Sequence, residues 1–599
     1  MPENPLHSKV DLPSFSILVE GTEIRNFYEV KSILIEKALN RVSTARIVLF
    51  DGDTSEETFP ISESADFKPG KTISIKLGYH SEEEDVFEGI ITAQRIKVMS
   101  YSHKITSQLI ITCHDKAIRM SLGRKTTNFS DKKDSDVIST LIQDAGLTAA
   151  VTATTFEHAS LIQYNCSDWD FMLSRADANG MVVTNEAGKV TVGAPEVSGT
   201  EVLELNYGTN VMNFSGELDG LSQIKSAAYQ SWNSTTHALI KGTGVEPSVN
   251  TQGDITGKSL AKDVGADPEL AATNSAPEDT SLLKAWGDSL LQRSRLSRLR
   301  GTITFSGSNL AAPGKLIKLV GFGSRFNGTA FVSGVKHEVH EGTWTTEAEF
   351  GLSHKMVTDT GQIEGAGAMG LLPPISGLHI GKVKKIDADP KGEYRVQVDV
   401  PMIEDSGTGI WVRLTNPYAS ADVGFYFFPE VGDEVILGFL NNDPRFGIIL
   451  GSLYGKKNKP GYTPESTNKD KAIVTKSNLK ITFNDTDKTM VFETPGGHKV
   501  TLDDKTTSVK LEDSNKNSIK MESSGITITS DSDIKLVAKG KISLTPTGNA
   551  EVTSKGDVKL TGNNVNAKAN MALSLQGTAS AEFKASGTVT VKGALVQIN

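Results

Sequence analysis

Between residues 14 and 125, apolar and polar side chains alternate in short runs, among them FSILVEG, ARIVLFDG, KTISIKLGY, VFEGIITAQRIKV and SQLIITCHD. A period of two, broken by glycine and charged turns, predicts antiparallel strands of a barrel or sandwich. The period then lengthens. Val137, Ile138, Leu141 and Ile142 fall at helical spacing behind the capping cluster Asp134–Ser135–Asp136, and the helix is expected to end near Gly146. Ser167, with Asp170 three residues on, makes a capping box for a helix whose apolar face is Trp169, Met172, Leu173 and Ala176 and whose stop is Gly180. Strands resume at MVVTNEAGKVTVG, and residues 242–280, rich in Gly, Thr, Asp, Ala and Pro, read as a long loop. A third helix is predicted from about Thr280 to Arg300, with Leu282, Leu283, Trp286, Leu290 and Leu291 apolar. Arg293, Arg295, Arg298 and Arg300 collect at its end, where cations suit the helix dipole and a solvated face is the plain expectation. GKLIKLVG, GTAFVSGVKHEVH and TWTTEAEFGL return to strand.

Residues 361–376, mostly GQIEGAGAMGLLPP, read as a linker. The following segment, 377–457, holds five short strand candidates: LHIGKVKKI, YRVQVDV, GIWVRLT, DEVILGFL and FGIILGSL. Five such strands suit an OB-type Greek-key barrel. Residues 458–476, rich in Lys, Asn, Pro, Gly and Thr, read as a second linker.

From Ser477 to Asn599 the pattern changes again. Short apolar-x-apolar units recur: Ile526/Ile528, Ile534/Leu536, Ile542/Leu544, Ala550/Val552, Val558/Leu560, Val565/Ala567, Leu573/Leu575, Ala581/Phe583, Val589/Val591 and Val596/Ile598. The step is eight residues, apart from two steps of seven. A fixed short period marks a solenoid. Each repeat offers two inward side chains, too few to offset the ordering entropy of its own backbone. Three chains wound together close a prism with these side chains inside and no free lateral edge. Ile526, Ile528, Ile534, Leu536, Ile542, Leu544, Val558 and Leu560 are therefore expected in a trimer core. The alternative, a single-chain β-helix, usually needs longer rungs. About fifteen octads stacked about 4.8 Å apart give a shaft of roughly 70 Å, more than a bilayer of about 40–45 Å with its headgroups.

Length and charge narrow the class. A chain of 599 residues is expected to hold three or four domains. Its net charge of −10 gives no reason to expect nucleic acid. The start MPENPLHSKVDLP lacks the pattern of a secretory signal, and no run of 18 apolar residues predicts a spanning helix. Cys113 and Cys166 form no CxxC pair, so a disulfide framework or zinc ribbon is not expected, although one bond between them stays open.

Candidate chemistry is sparse. His337 and His340 lie three apart in a predicted strand and so point to opposite sides; surface or turn histidines are expected there rather than a metal pair. His114-Asp115 and Ser167-Asp168 lack a nucleophile-elbow context. Asp503-Asp504 and Glu512-Asp513 read as turn charges, and Pro429 to Glu434 as a turn entering a strand. No catalytic, cofactor-binding or metal site is expected, and an ion on a trimer axis is left open.

Four stretches resemble one known family. These are QYNCSDWDFMLSRADANGMVV (Gln163–Val183), PGKLIKLVGFGSRFNGTAFVSGVKHEVHEGTWTTEAEFGLS (Pro313–Ser353, with Arg325-Phe326-Asn327-Gly328 and His337), the barrel segment with Pro429-Glu430-Val431-Gly432-Asp433-Glu434-Val435, and GGHKVTLDD (Gly496–Asp504). They are similar, in order, to VgrG spikes of contractile injection systems and to the hub and needle of contractile phage tails. The resemblance implies a mainly β fold. Residues 1–360 form a hub of paired barrels with a few helices that binds the tube, 377–457 an OB-fold domain, and 477–599 an intertwined trimeric β-helix needle. It implies a homotrimer whose six barrels match a hexameric inner tube, with baseplate proteins, effector cargo and a PAAR-like tip protein as partners. The tip protein is expected on Leu595, Val596, Gln597, Ile598 and Asn599, where an uncapped prism exposes strand groups. Assembly in the cytoplasm, then incorporation into a cell-anchored or released particle that punctures a target membrane mechanically, follows from the same likeness. The short interval between Gly455 and Ser477 leaves no room for the lysozyme domain of phage homologues, and an end still in repeat register leads to the expectation that no toxin is fused. The rival readings are a spike with cell-wall hydrolase activity and a trimeric fibre or adhesin.

Overall fold

The structure is a computed structural model. It describes every residue except 1, 6–11, 26, 102–103, 234–237, 266–268, 275–278, 361–374, 402–408, 444–445 and 599. The linker expected at 361–376 and the tip residue Asn599 thus fall wholly or mostly outside the described residues. The chain divides into two compact units, Met1–Tyr454 and Gly455–Asn599.

In the first unit the alternating runs become one 13-stranded sheet. Seven strands between Pro13 and His114 form one half, and six between Leu203 and Phe350 the other. The halves join where Gly328–His340 pairs with Val30–Ala38, in the register His337↔Ile35 and Val339↔Ile33. Each half covers its own apolar cluster. Ile33, Ile35, Ile47, Leu49, Ile73, Ile75 and Leu109 fill the first, and Leu205, Ile303, Phe305, Ile317, Val332 and Phe350 the second. Full burial of each such side chain stabilises by about 1.5–3 kcal/mol. Gly328 shows how tightly the second half is built: its φ is +116°, and a Cβ there would sit 2.3 Å from the Thr251 carbonyl oxygen.

Between the halves, helices Asp134–Asp144 and Asp168–Ala178 lay Leu141, Ile142, Met172 and Ala176 against Val183 and Val190 of a three-stranded sheet. Ser167 caps the second helix, accepting from the Asp170 N–H at 3.1 Å while its hydroxyl donates to the Asp170 carboxylate at 2.7 Å. The first helix is capped differently from the expectation. Lys133 is the N-cap residue and Asp136 accepts its N–H, because the Asp134 carboxylate turns inward to Arg175.

Two further expectations need correction. Residues 242–280 are not one long loop. They contain helix Gly257–Asp263, capped by Thr256, and strand Leu270–Asn274, which pairs in parallel with Ala227–Asn233. That partner lies some forty residues away, so the local sequence carries no pairing signal. The third helix runs Thr280–Leu296 rather than to Arg300, because Leu299–Ser306 is already strand.

All five expected barrel strands are present: His379–Lys385, Val396–Asp399, Ile410–Leu414, Glu434–Phe439 and Gly447–Ser452. They close into a barrel around Val383, Val396, Val398, Val412, Val435, Leu437 and Ile449.

The second unit opens with seven five-residue strands, from Asp470–Val474 to Gly525–Thr529, each antiparallel to the next. The sheet therefore begins inside the segment read as linker 458–476. From residue 530 to 598 no strand is present in the single chain. No helix among the described residues is long and apolar enough to cross a membrane.

Candidate assembly surfaces

The register of the seven-stranded sheet lines its apolar residues into two columns. Ile481, Phe492, Val500, Leu511, Ile519 and Ile528 are successive partners, as are Phe483, Met490, Leu502, Val509, Met521 and Ile526. The columns lie two residues apart along each strand and so share one face. The other face carries Thr482, Thr501, Lys510 and Lys520, and a ladder of alternating sign, Lys480↔Glu493↔Lys499↔Glu512. Among the described residues nothing covers this apolar face. Phe492, Leu502, Leu511 and Met521 are exposed, whereas Lys499 and Glu512 are half-buried. A sheet with its apolar side more open than its charged side is half of a core.

Ile526 and Ile528 end these columns, and the octad residues continue them in sequence. Ile534 and Ile542 are each 55% exposed, Leu536 69% and Leu544 80%; Val558 and Leu560 are likewise exposed. Leu595, Val596, Gln597 and Ile598 are all exposed. Within one protomer, no described member of the proposed trimer core or tip seat is packed.

The first unit places its charges inside. Arg293, Arg295 and Arg298, expected at a solvated helix end, are buried. Arg293 pairs with the buried Asp177, whose other oxygen accepts the Val357 N–H at 2.6 Å. Arg295 holds Glu246 through two nitrogens, at 2.6 and 3.0 Å, and Arg298 donates to the carbonyls of Ile255 and Gln252. Asp134 is gripped by Arg175 at 2.7 and 3.1 Å and by Asn179 at 2.8 Å. Burial pushes its carboxyl up, but these donors outweigh burial and hold it below the usual carboxylate range. Asp134–Arg175 and Asp177–Arg293 tie helix to helix, and Arg295 and Arg298 reach the loop residues Glu246, Gln252 and Ile255.

His337 is a buried core residue, not a surface or turn histidine. It lies on the same strand face as buried Val335 and Val339, and its Nδ1 is 3.0 Å from the Thr346 hydroxyl. Burial, with Lys37 adding a smaller push, drives the imidazole down to about 3. His340 is more open, so the two histidines do not converge. The His114 Nδ1 lies 2.7 Å from the Thr92 hydroxyl, and Asp115 accepts from the N–H groups of Ala117 and Gly188. Cys113 is a free, buried thiol, and burial pushes it up to about 12. Among the described residues no group of three His, Cys, Asp or Glu could hold a metal ion.

One surface had no counterpart in the sequence reading. Between barrel strands Ile410–Leu414 and Glu434–Phe439 the chain leaves as a small hairpin, Ala419–Ser420 paired with Val423–Gly424, and returns through Phe425-Tyr426-Phe427-Phe428. Only Phe428 of this run reaches the barrel core.

Family models match three consecutive segments: the Alg8 N-terminal domain over residues 9–341, the type VI secretion system/phage-baseplate injector OB domain over 379–454, and the phage baseplate V C-terminal trimerisation domain over 489–574. The first covers more than half of the chain, which belongs to the Alg8 N-terminal domain family and, by the two that follow, is a VgrG-type spike protein. Among curated relatives, the actin cross-linking toxin VgrG1 of Vibrio cholerae is 45% identical over 60 residues, 10% of this chain and 6% of that protein. The type VI secretion system spike protein VgrG2a of Pseudomonas aeruginosa is 32% identical over 97 residues, 15% of this chain and 12% of that one. The matched stretches thus span about a tenth of those relatives' length. Solved structures include the prophage MuSo2 43 kDa tail protein of Shewanella oneidensis, with TM-score 0.42 and 11% identity, covering 57% of this chain and 99% of that one. An Escherichia coli type VI secretion component gives TM-score 0.36 and 12% identity, covering 73% of this chain and 100% of that one.

Proposed function

We propose that three copies of this chain form the spike of a contractile injection system, which adapts a hexameric tube to a three-sided needle and drives that needle through a target envelope. The observation that carries this is the bare apolar face of residues 480–528, lying largely within a segment that matches a trimerisation domain and following a closed barrel that matches an injector OB domain. Three such faces turned inward bury one another. The octads then continue the prism, with Ile534, Leu536, Ile542, Leu544, Val558 and Leu560 on its axis. Its strands bond between chains and so resist bending.

The same reading gives residues 1–360 the tube-binding role. Their rigidity fits it: two filled cores and buried ion pairs hold the surfaces that a hexameric ring would meet. A PAAR-like protein seated on Leu595–Asn599 closes the needle's open end, effectors travel with the spike, and assembly takes place in the cytoplasm. The work comes from sheath contraction. The chain itself is proposed to have no catalytic activity and to need no cofactor.

Tagged full-length protein, captured from its native host, tests this. The spike reading expects tube and baseplate proteins to co-purify and purified cell wall to remain intact. Recovery of the trimer anchored to the cell surface without tube protein favours the fibre. Cell-wall clearing abolished by one point substitution favours the hydrolase.

A further inference from the structure

Two neighbouring strands of the OB barrel are apolar on both sides. In Glu434–Phe439 and Gly447–Ser452 the inward residues are Val435, Leu437 and Ile449, all fully buried. Between them, Ile436, Ile448 and Leu450 point outward. Ile380 stands opposite Ile436 on the neighbouring strand, and Leu378 lies just before it. An antiparallel barrel with one wet face alternates apolar and polar; a strand apolar on both faces is one that something covers. Leu378, Ile380 and Leu450 are exposed in the single chain. Gly438 lies among them without a side chain. A Cβ there would stand 3.6 Å from Leu378 and 3.8 Å from Leu450, so the glycine leaves a shallow notch between two leucines.

The same barrel carries a matching protrusion. On the hairpin arm Tyr426 is 85% exposed and Phe427 58%, with Tyr418, Val423 and Phe425 exposed beside them. The arm is shaped, not frayed. The Phe425 N–H donates to the Tyr418 carbonyl at 2.9 Å, Phe425 and Phe427 face each other at 6.3 Å, and Phe428 anchors the base in the barrel core. An aromatic cluster held out from a rigid base is the kind of anchor that dominates an interface.

We propose that the aromatic arm of each protomer docks on the outer barrel face of the next, so that three barrels close into a ring. The proposal rests on the trimeric reading. A second copy is the occupant because the segment matching the trimerisation domain begins at residue 489 of the same chain, close behind the barrel's last strand at Ser452. Three barrels are thereby tethered at high effective concentration beside one another. Knob and notch are different surfaces of one barrel, so the contact is head-to-tail, and under threefold symmetry such a contact closes.

Cysteine pairing in the full-length chain tests this. With Cys166→Ser as background, Tyr426→Cys is combined in turn with Ile380→Cys, Ile436→Cys and Leu450→Cys. Mild oxidation is expected to give covalent trimers on a non-reducing gel for at least one pair. An internal bond that leaves monomers, or free thiols in all three, overturns the docking. A second readout does not depend on disulfide geometry. The thiol of Leu450→Cys alone should label slowly in the trimer and about tenfold faster when Tyr426→Ser and Phe427→Ser are added. Labelling that is equally fast in both overturns the docking. Labelling that slows only in intact particles overturns it too and gives the face to another protein. A monomeric mass by light scattering fails the trimer reading itself, whereas an intact trimer without arm contact fails the docking alone.

Discussion

The two units of this chain solve the burial problem in opposite ways. In residues 13–350 the period-two pattern yields strands whose apolar faces meet each other within one chain, and Ile33, Ile47, Phe305 and Phe350 are sealed from water. In residues 470–529 the same period yields strands of equal regularity whose apolar face meets nothing. Strand propensity is comparable; what differs is a second layer. Six of the seven strands in the first half of the sheet are 7–20 residues long and are covered by other strands of the same chain, whereas the second unit has five-residue strands in a single meander. A single layer cannot offset the entropy of ordering it. Regular alternation without a covering layer is thus a signature of a core shared between chains.

The contrast can be broken first in the octads. Ile534→Asp with Leu536→Asp sets three carboxylates at each of two levels of the proposed axis, and burial of each unpaired charge costs several kcal/mol. Light scattering should register loss of the trimer, while circular dichroism retains the strand signal of the first unit. Lys535→Asp, on the opposite face of the same repeat, should leave the mass unchanged.

The complementary substitution is Arg293→Met. It leaves the Asp177 carboxylate buried without its cation, at about 3–5 kcal/mol. Thermal denaturation should show the first unit melting earlier, with the trimer mass at room temperature unaltered. Loss of the trimer in step with this melting would mean that the two units are not separable in the way the cores suggest.

A smaller effect sharpens the account of His337. Its imidazole is neutral when folded because burial pushes it down to about 3, whereas the unfolded chain takes up a proton below about 6.5. The unfolded state therefore binds more protons across that window, and stability falls as pH drops through it, by roughly 1.4 kcal/mol per pH unit from this group. His337→Asn, which can keep a hydrogen bond to Thr346, should flatten the stability curve of the first unit between about pH 6 and 4 by roughly one proton. An unchanged slope would place the acid sensitivity elsewhere.

The smallest effect is expected on the charged face of the meander. Lys499→Glu puts a third carboxylate in line with Glu493 and Glu512, and cross-strand pairs of this kind are worth about 0.2–1 kcal/mol. The trimer should persist with a slightly lower melting temperature that rises with added salt. A trimer lost here as completely as with Ile534→Asp and Leu536→Asp would put the wrong face on the axis.

Where the pattern is local, the sequence was enough. The five barrel strands, the Ser167 cap and the face of Trp169, Met172, Leu173 and Ala176 follow from spacing and turn residues within a dozen positions. Where the deciding partner is remote, it was not. Arg293 meets Asp177 across 116 residues, and Leu270–Asn274 becomes a strand only beside Ala227–Asn233. His337 had a local signal that went unused, since it alternates with Val335 and Val339 on a buried face. The arm at Phe425–Phe428 carried one as well: four consecutive aromatics between two barrel strands are more than a turn requires. The octads were legible as a repeat, but a repeat of exposed pairs acquires its meaning only from the number of chains that share it.

The mass of the purified full-length protein in solution tests that meaning most directly. Light scattering at micromolar concentration should give three times the chain mass of 64.2 kDa, with one transition for loss of the trimer on dilution into denaturant. A stable, soluble particle of one chain mass, with strand content in residues 530–598 equal to that of the native assembly, would contradict a core made by three chains.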